Sequence, residues 1–258
     1  MEIKTLSKSA LDIIDQYTQF KINSATCSVP YFNNKTAQIR IAFRAYIGKG
    51  SPSEIRDELE TIIIKEKIDS KSFNDTLLKK TLVDRGLGIE CSGFCYHILE
   101  AESNSRGYGS IGKKITFIRC RNIIDKIRCS LKPVENCDVI TFKDDRNSKI
   151  ISLKEILPGD IITITSNQET ADRNHILIIK EVQYENSNPK TIIYSHSIAY
   201  PEDGIYNTGP RNGQIEITDT DSKISDAKWI ENNKENDSNP LYLRVKKSDV
   251  EIRRLNWF

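Results

Sequence analysis

Helix-period and strand-period segments are segregated along this chain, and that segregation limits the fold more than any other feature. Leu11, Ile14, Tyr17 and Phe20 recur at three-residue spacing within Ser9 to Lys21, a helical pattern with Ser7 or Ser9 as its cap. Ser51-Pro52-Ser53-Glu54 opens a second helix that runs to about Lys67: a Ser cap, Pro at the first position, acids in the first turn. Ser72 to Leu82 reads as a third. After about Lys114 the texture changes to short β-branched runs separated by turn residues. These are Ile115 to Ile118, Val139 to Phe142, Ile161 to Thr165, Ile176 to Val182, Thr191 to Tyr194 and Leu241 to Val245. Helices first and strands later imply an α+β fold with an antiparallel sheet. Glu231 to Pro240 is polar and Asn-rich and reads as an exposed loop.

The chain's 258 residues suffice for one sizeable core, with or without a small appended subdomain. Its 38 basic and 36 acidic residues nearly cancel, so no long-range field is expected for nucleic acid or an anionic membrane. No stretch approaches the roughly 20 apolar residues of a membrane helix. Met1 to Phe20 lacks the continuous apolar segment of a secretory signal. The expected location is cytoplasmic, with thiols reduced. Six cysteines without a C-x-x-C pair, and three histidines, argue against a structural zinc, and no cofactor is expected. All the cysteines except Cys91 read as buried free thiols acting as small hydrophobes.

The segment Gly86-Leu87-Gly88-Ile89-Glu90-Cys91-Ser92-Gly93-Phe94 carries the chemistry. From Cys91 onward, Phe94, Cys95, Ile98, Leu99 and Ala101 follow helical spacing, which puts Cys91 in the first turn of a buried helix. Unpaired N–H groups and the positive end of the helix dipole there lower a thiol's pKa, and the Cys91 N–H can contribute to an oxyanion hole. Gly93 permits close approach of another element. His97, six positions on and about 240° around the helix, is a poor partner and reads as structural or exposed.

A thiol nucleophile needs a base, and the base a third group that fixes its tautomer. His175 opens the apolar strand Ile176-Leu177-Ile178-Ile179. Gln183 to Lys190 reads as a hairpin turn; centred between Glu185 and Asn186, it sets His175 opposite His196. One residue of slip would bring Ser195 or Ser197 there instead, because side chains alternate faces.

Four short motifs, in order over Gly88 to about Ile198, resemble those of the NlpC-type papain-like cysteine peptidases. Glu90-Cys91-Ser92-Gly93-Phe94 resembles the Asp-Cys-Ser-Gly-hydrophobic signature, with Glu in place of Asp. Leu157-Pro158-Gly159-Asp160-Ile161 is similar to the family's Pro-Gly-Asp turn, Asn174-His175-Ile176-Leu177 to its His-opened strand, and Ile193-Tyr194-Ser195-His196 to the strand with the third polar residue. The resemblance implies a papain-like α+β fold, the nucleophile at a helix N-terminus packed on an antiparallel sheet. It implies Cys91, His175 and His196 as the catalytic set, acting on an amide bond of a peptide, commonly a peptidoglycan stem peptide. His175 lies 84 residues after Cys91, longer than in compact members. The expected layout is therefore a mainly helical part over 1–85 and a catalytic core over 86–258 with an insertion around 101–150.

Three other functional readings compete. Gly107 to Lys114 formally matches both a G-x-G-x-x-G pattern and most of a P-loop, but a polar stretch precedes it and a β-like run follows, the wrong context for nucleotide binding. A catalytically inactive binding module on the same fold is opposed by the retention of Cys91, His175 and a third candidate. Acyl transfer to an amine would use the same acyl-enzyme as hydrolysis.

Overall fold

The computed structural model describes residues 1–33, 43–118, 120, 122–166 and 174–258. It is an α+β structure built on a nine-stranded sheet in which all the strand pairs are antiparallel. The strands are β1 (Glu2–Thr5), β4 (Ser148–Ile150), β5 (Ile161–Thr165), β6 (His175–Glu185), β7 (Asn188–Ile198), β8 (Gly209–Glu216), β9 (Lys228–Glu231), β10 (Lys234–Glu235) and β11 (Asp249–Leu255). Their order is β10-β9-β8-β7-β6-β5-β11-β4, and β1 pairs with the far end of β6. A separate hairpin joins β2 (Phe20–Ile22) to β3 (Ala25–Cys27).

The early helices follow the sequence signals closely. Helix α1 (Lys8–Thr18) is capped by Ser7; α2 (Pro52–Glu66) has a full Ser51/Glu54 capping box with Pro52 at its start; α3 (Asp75–Asp84) is capped by Asn74. Helix α4 (Cys91–Ser105) is the most deeply buried, with Phe94, Cys95, Ile98 and Leu99 fully enclosed. Four helices follow: α5 (Ile123–Leu131), α6 (Pro133–Asn136), α7 (Val139–Lys143) and α8 (Pro240–Val245).

The sheet separates two cores. Ile161, Ile176 and Ile178 join the helices α1 to α4, whereas Ile162, Ile164, Leu177 and Ile179 join Ile156, Trp229, Leu241 and Val245 on the other side. Strands buried on both faces read as continuous apolar runs, and that is why β5 and the start of β6 were legible. Three runs expected as strands are not. Ile115–Ile118 lies outside regular strand and helix, Val139 to Phe142 forms α7 behind an Asp138 cap, and Leu241 to Val245 forms α8 behind an Asn239 cap. In both helices the cap and first-turn hydrogen bonds outweigh the β preference of the branched residues.

The expectation of free thiols also fails at one pair: Cys120 and Cys129 form a disulfide. Cys129 is the only buried residue of α5, and its side chain meets the loop that leads into that helix.

Candidate active site

Cys91 is the first residue of α4 and is 6% exposed. The preceding Glu90 occupies the N-cap position without capping the helix through its side chain. Its carboxylate is held elsewhere, 2.5 Å from Lys49 Nζ and accepting a 2.6 Å bond from Ser92 Oγ. The buried Lys49 ammonium also donates to Ser92 Oγ and to the Cys137 carbonyl, both at 2.7 Å. Burial opposes the Lys49 charge, but Glu90 outweighs it and leaves the pKa raised. This knot fixes the turn before the thiol. The approach of the Gly48–Lys49 segment, which makes an isolated bridge to Ile89, depends on Gly93, where a Cβ would fall 2.6 Å from the Gly48 carbonyl oxygen.

The β6–β7 ladder runs from Glu185↔Asn188 to Ile178↔Ser195. Nearer the strand ends, α4 takes over the contacts. The Ile176 N–H points to the Cys91 sulfur, the Cys95 thiol donates to the Ile176 carbonyl at 3.8 Å, and Ser197 Oγ donates to the Ile89 carbonyl at 2.7 Å. The thiol therefore lies against Ile176, the second residue of β6.

The two histidines meet. His175 Nε2 is 2.8 Å from His196 Nδ1, and the rings are nearly perpendicular at 74°. The hairpin that brings them together is tighter than the sequence reading assumed, with Asn186 and Ser187 both at positive φ in a two-residue turn. Extending the register of Ile178↔Ser195 puts His196 opposite Leu177, two positions from the expected pairing. A two-residue error keeps side chains on the same face, so the rings still meet as diagonal neighbours. Ser195 and Ser197, the alternatives on the other parity, are engaged with Asn212 and Ile89.

Sequence reasoning missed Glu231, placed there in an exposed loop. It ends β9 and is 3% exposed. Its Oε2 lies 2.9 Å from His196 Nε2, off the direction of an aligned hydrogen bond, and accepts from Tyr194 Oη at 2.9 Å. Its Oε1 accepts from Tyr200 Oη at 3.0 Å. Burial alone would raise the Glu231 pKa, yet His196 and the Tyr194 hydroxyl hold it below the ordinary value. The only sequence signal was alternation: Trp229 and Glu231 face the same way, and Trp229 is core.

Burial dominates the electrostatics. It pushes the Cys91 thiol up to about 11, with Glu90 adding to the rise and Lys49 and Arg244 opposing it. This is the reverse of the direction that a helix end alone implies. Burial also drives His175 well below the usual imidazole value, helped by His196 and Arg244. Near neutral pH the Cys91 thiol and the His175 imidazole are therefore both uncharged. Tyr31 and, from α8, Arg244 are near enough to act electrostatically on the site: the Cys91 sulfur opposes ionisation of Tyr31, and the Arg244 charge lowers both Cys91 and His175. His97 stays apart, its Nε2 2.9 Å from the Lys49 carbonyl oxygen.

The remaining motifs are structural in their contacts. Asp160 of the Pro-Gly-Asp turn binds Arg254 and the Leu157 N–H, and Gly159 and Ile179 tie that turn to β6. The Gly-rich segment leads into a single 3₁₀ turn, Ile111–Lys113. Among the described residues, no group of three His, Cys, Asp or Glu side chains is arranged to hold a metal.

No family model, no curated protein and no solved structure matches this chain.

Proposed function

We propose that the chain is a cysteine-nucleophile hydrolase that cleaves an amide bond through a thioester acyl-enzyme. The observation that carries this reading is the buried His175–His196 contact backed by Glu231. It commits His175 Nε2 to an orienting partner, so contact with the thiol falls to Nδ1, as a base for Cys91 requires.

In this mechanism the Cys91 proton moves to His175 Nδ1 as the sulfur attacks the substrate carbonyl carbon. With a thiol near 11 and a depressed imidazole, the resting pair is neutral, and the charges develop during attack. The imidazolium is then supported by His196 and the Glu231 carboxylate. The tetrahedral oxyanion is met by N–H groups of the first turn of α4, which Glu90 leaves uncapped. His175 returns its proton to the leaving amine, the C–N bond breaks, and a thioester remains. Water gives a proton to His175 and attacks the thioester, and the thiol leaves with that proton.

The motif resemblance extends the proposal to a papain-like fold of the NlpC type and to peptide substrates, cell-wall stem peptides among them. The test is turnover of such peptides with mass analysis of products, beside trapping of the acyl-enzyme on Cys91. An acyl-enzyme that passes to added amines faster than to water would make the chain a transferase. Absence of acylation at Cys91 across a peptide panel would defeat the proposal.

A further inference from the structure

Helix α5 presents its apolar residues to solvent. Ile123 is 77% exposed, Ile124 62%, Ile127 57% and Leu131 74%, while its one buried residue is Cys129. At about 100° per residue, the four aliphatic side chains fall in one stripe about 100° wide, and Cys129 points about opposite the stripe's centre. The helix is therefore amphipathic but inverted: its buried residue is bridged to Cys120 in the loop before it, and its apolar stripe is directed outward. Isolated exposed aliphatics are ordinary, but a contiguous apolar stripe marks an interaction surface.

Charge identifies what the stripe meets. The segment 113–132 carries seven basic residues and one acidic residue, Asp125, although the chain as a whole is nearly neutral at +2. Arg128 and Lys132, in and just after α5, are exposed, as are Lys113 and Lys114. On the helix wheel Arg128 borders one edge of the stripe, and Lys126, also exposed, lies beyond the other. Large aliphatics flanked by basic residues fit a layer that is negative outside and apolar beneath, the surface of an anionic bilayer. A second copy of this chain would bring the same positive charge against itself.

We propose that α5 is an interfacial docking helix for membranes rich in anionic phospholipid. It lies on such a surface with Ile123, Ile124, Ile127 and Leu131 inserted among the acyl chains. Among the described residues no helix is long and apolar enough to cross a membrane, and this mode requires none. The proposal does not depend on the reaction at Cys91.

Vesicle sedimentation of the full chain tests it, without reductant. Vesicles of equal parts phosphatidylcholine and phosphatidylserine should retain the protein at least about tenfold more strongly than pure phosphatidylcholine, because basic residues near the surface add attraction that salt screens. High salt should lower the retention. The double variant Ile124→Asp, Ile127→Asp should lose binding by about tenfold or more with unchanged circular dichroism and an intact disulfide. Arg128→Glu with Lys132→Glu, at exposed positions that leave the core alone, should weaken binding to the anionic vesicles alone. Absence of vesicle binding overturns the proposal, and so does binding indifferent to lipid charge or to both variants. A dimer in analytical ultracentrifugation that the Asp pair dissociates would assign the stripe to a second copy and overturn it equally.

Discussion

The β6–β7 hairpin and helix α5 break the same rule in opposite directions. The hairpin buries polar groups: His175, His196, Ser195 and Ser197 are each at most 2% exposed, with Glu231 behind them. Helix α5 exposes four large aliphatics and buries a cysteine. Each is costly as pure folding. A buried polar group without a partner costs about 1–3 kcal/mol, and the hairpin avoids most of that cost by pairing His175 with His196, Ser195 with Asn212 and Ser197 with the Ile89 carbonyl. Exposed aliphatics forgo about 1.5–3 kcal/mol apiece of available burial, and nothing within α5 recovers it. The difference teaches where to look for each kind of function: chemistry where polar groups are enclosed and satisfied, docking where apolar groups are left open.

The comparison breaks first if the enclosed groups are only structural. Cys91→Ala and His175→Ala should each cut turnover by at least about 10³-fold, and the double variant should fall little further, because nucleophile and base act as one unit. His175→Gln guards against a folding artefact by keeping a polar side chain near His196. Near-normal turnover in either single variant would reduce the hairpin to a polar core.

The orienting groups come next. His196→Ala should slow turnover by about 10- to 100-fold, the range typical of residues that orient another ligand or ring, and His196→Asn should recover part of the loss. Glu231→Ala should slow it comparably and destabilise the fold by about 1–3 kcal/mol, because Tyr194 and Tyr200 lose their acceptor. Glu231→Gln keeps an acceptor oxygen for one hydroxyl, turns an N–H donor to the oxygen of the other, and removes the charge. A full return of turnover in that variant would show that the carboxylate's charge is irrelevant to the imidazolium.

Most of the candidate site was legible in the sequence and Glu231 was not, for a physical reason. Cys91 and His175 announce themselves through local context, a helix start after two glycines and a polar residue opening an apolar strand. His196 follows from hairpin parity, which survives a two-residue register error. Glu231 depends on β9 pairing with β8, a non-local choice, and its own neighbours Asn232 and Asn233 look like a loop because they form one at positive φ. The fold misread similarly where local hydrogen bonding decided. The Asn239 cap followed by Pro240 was a helix signal, but the apolar spacing of Leu241 to Val245 suited a strand as well. The reduced-thiol expectation failed because a bridge depends on the approach of Cys120 to Cys129 across nine residues, which composition does not report.

The opposite region gives a smaller, separable effect. Cys129→Ser should lower stability by about 2–3 kcal/mol, the loop-entropy value for a ring of this size, measured by denaturant unfolding without reductant. Turnover of a soluble peptide should stay near normal, since α5 contributes nothing to Cys91 or His175. A loss of turnover matching that of the catalytic variants would join the two regions into one device.

The pH response carries the hairpin's electrostatics. Because burial depresses His175, the acid limb of kcat/KM should lie below pH 6.5, and activity should fall as the pH drops through that limb and the base is protonated. The same shift has a sign for stability. The unfolded chain takes up the His175 proton near pH 6.5 while the folded chain resists, so stability falls as pH drops from about 6.5 toward the folded pKa. Cys91 acts at the other end: its folded pKa is raised, so its contribution is full below the unfolded value near 9 and is lost as pH rises toward about 11. A kcat/KM acid limb above pH 6.5 would contradict the buried, neutral resting pair.

The finest discrimination sets Cys91 against Cys27. Burial raises both thiols to about 11, yet Cys27 is half-buried beside Lys79 and Asp75, far in sequence from either histidine. If acidity and access alone governed reactivity, brief iodoacetamide treatment at neutral pH would label Cys27 at least as fast as Cys91, because Cys27 is the more open. On the proposed mechanism His175 would change the order by taking the thiol proton as the sulfur reacts. Cys91 should then label first, and His175→Ala should slow it by about threefold to tenfold without changing Cys27. Cys95 and Cys137, buried and with thiols raised further still, should stay unlabelled throughout, which peptide mapping reads directly. Equal slowing of Cys27 and Cys91 would mean that the variant altered the fold, and no slowing at Cys91 would mean that His175 does not reach the sulfur.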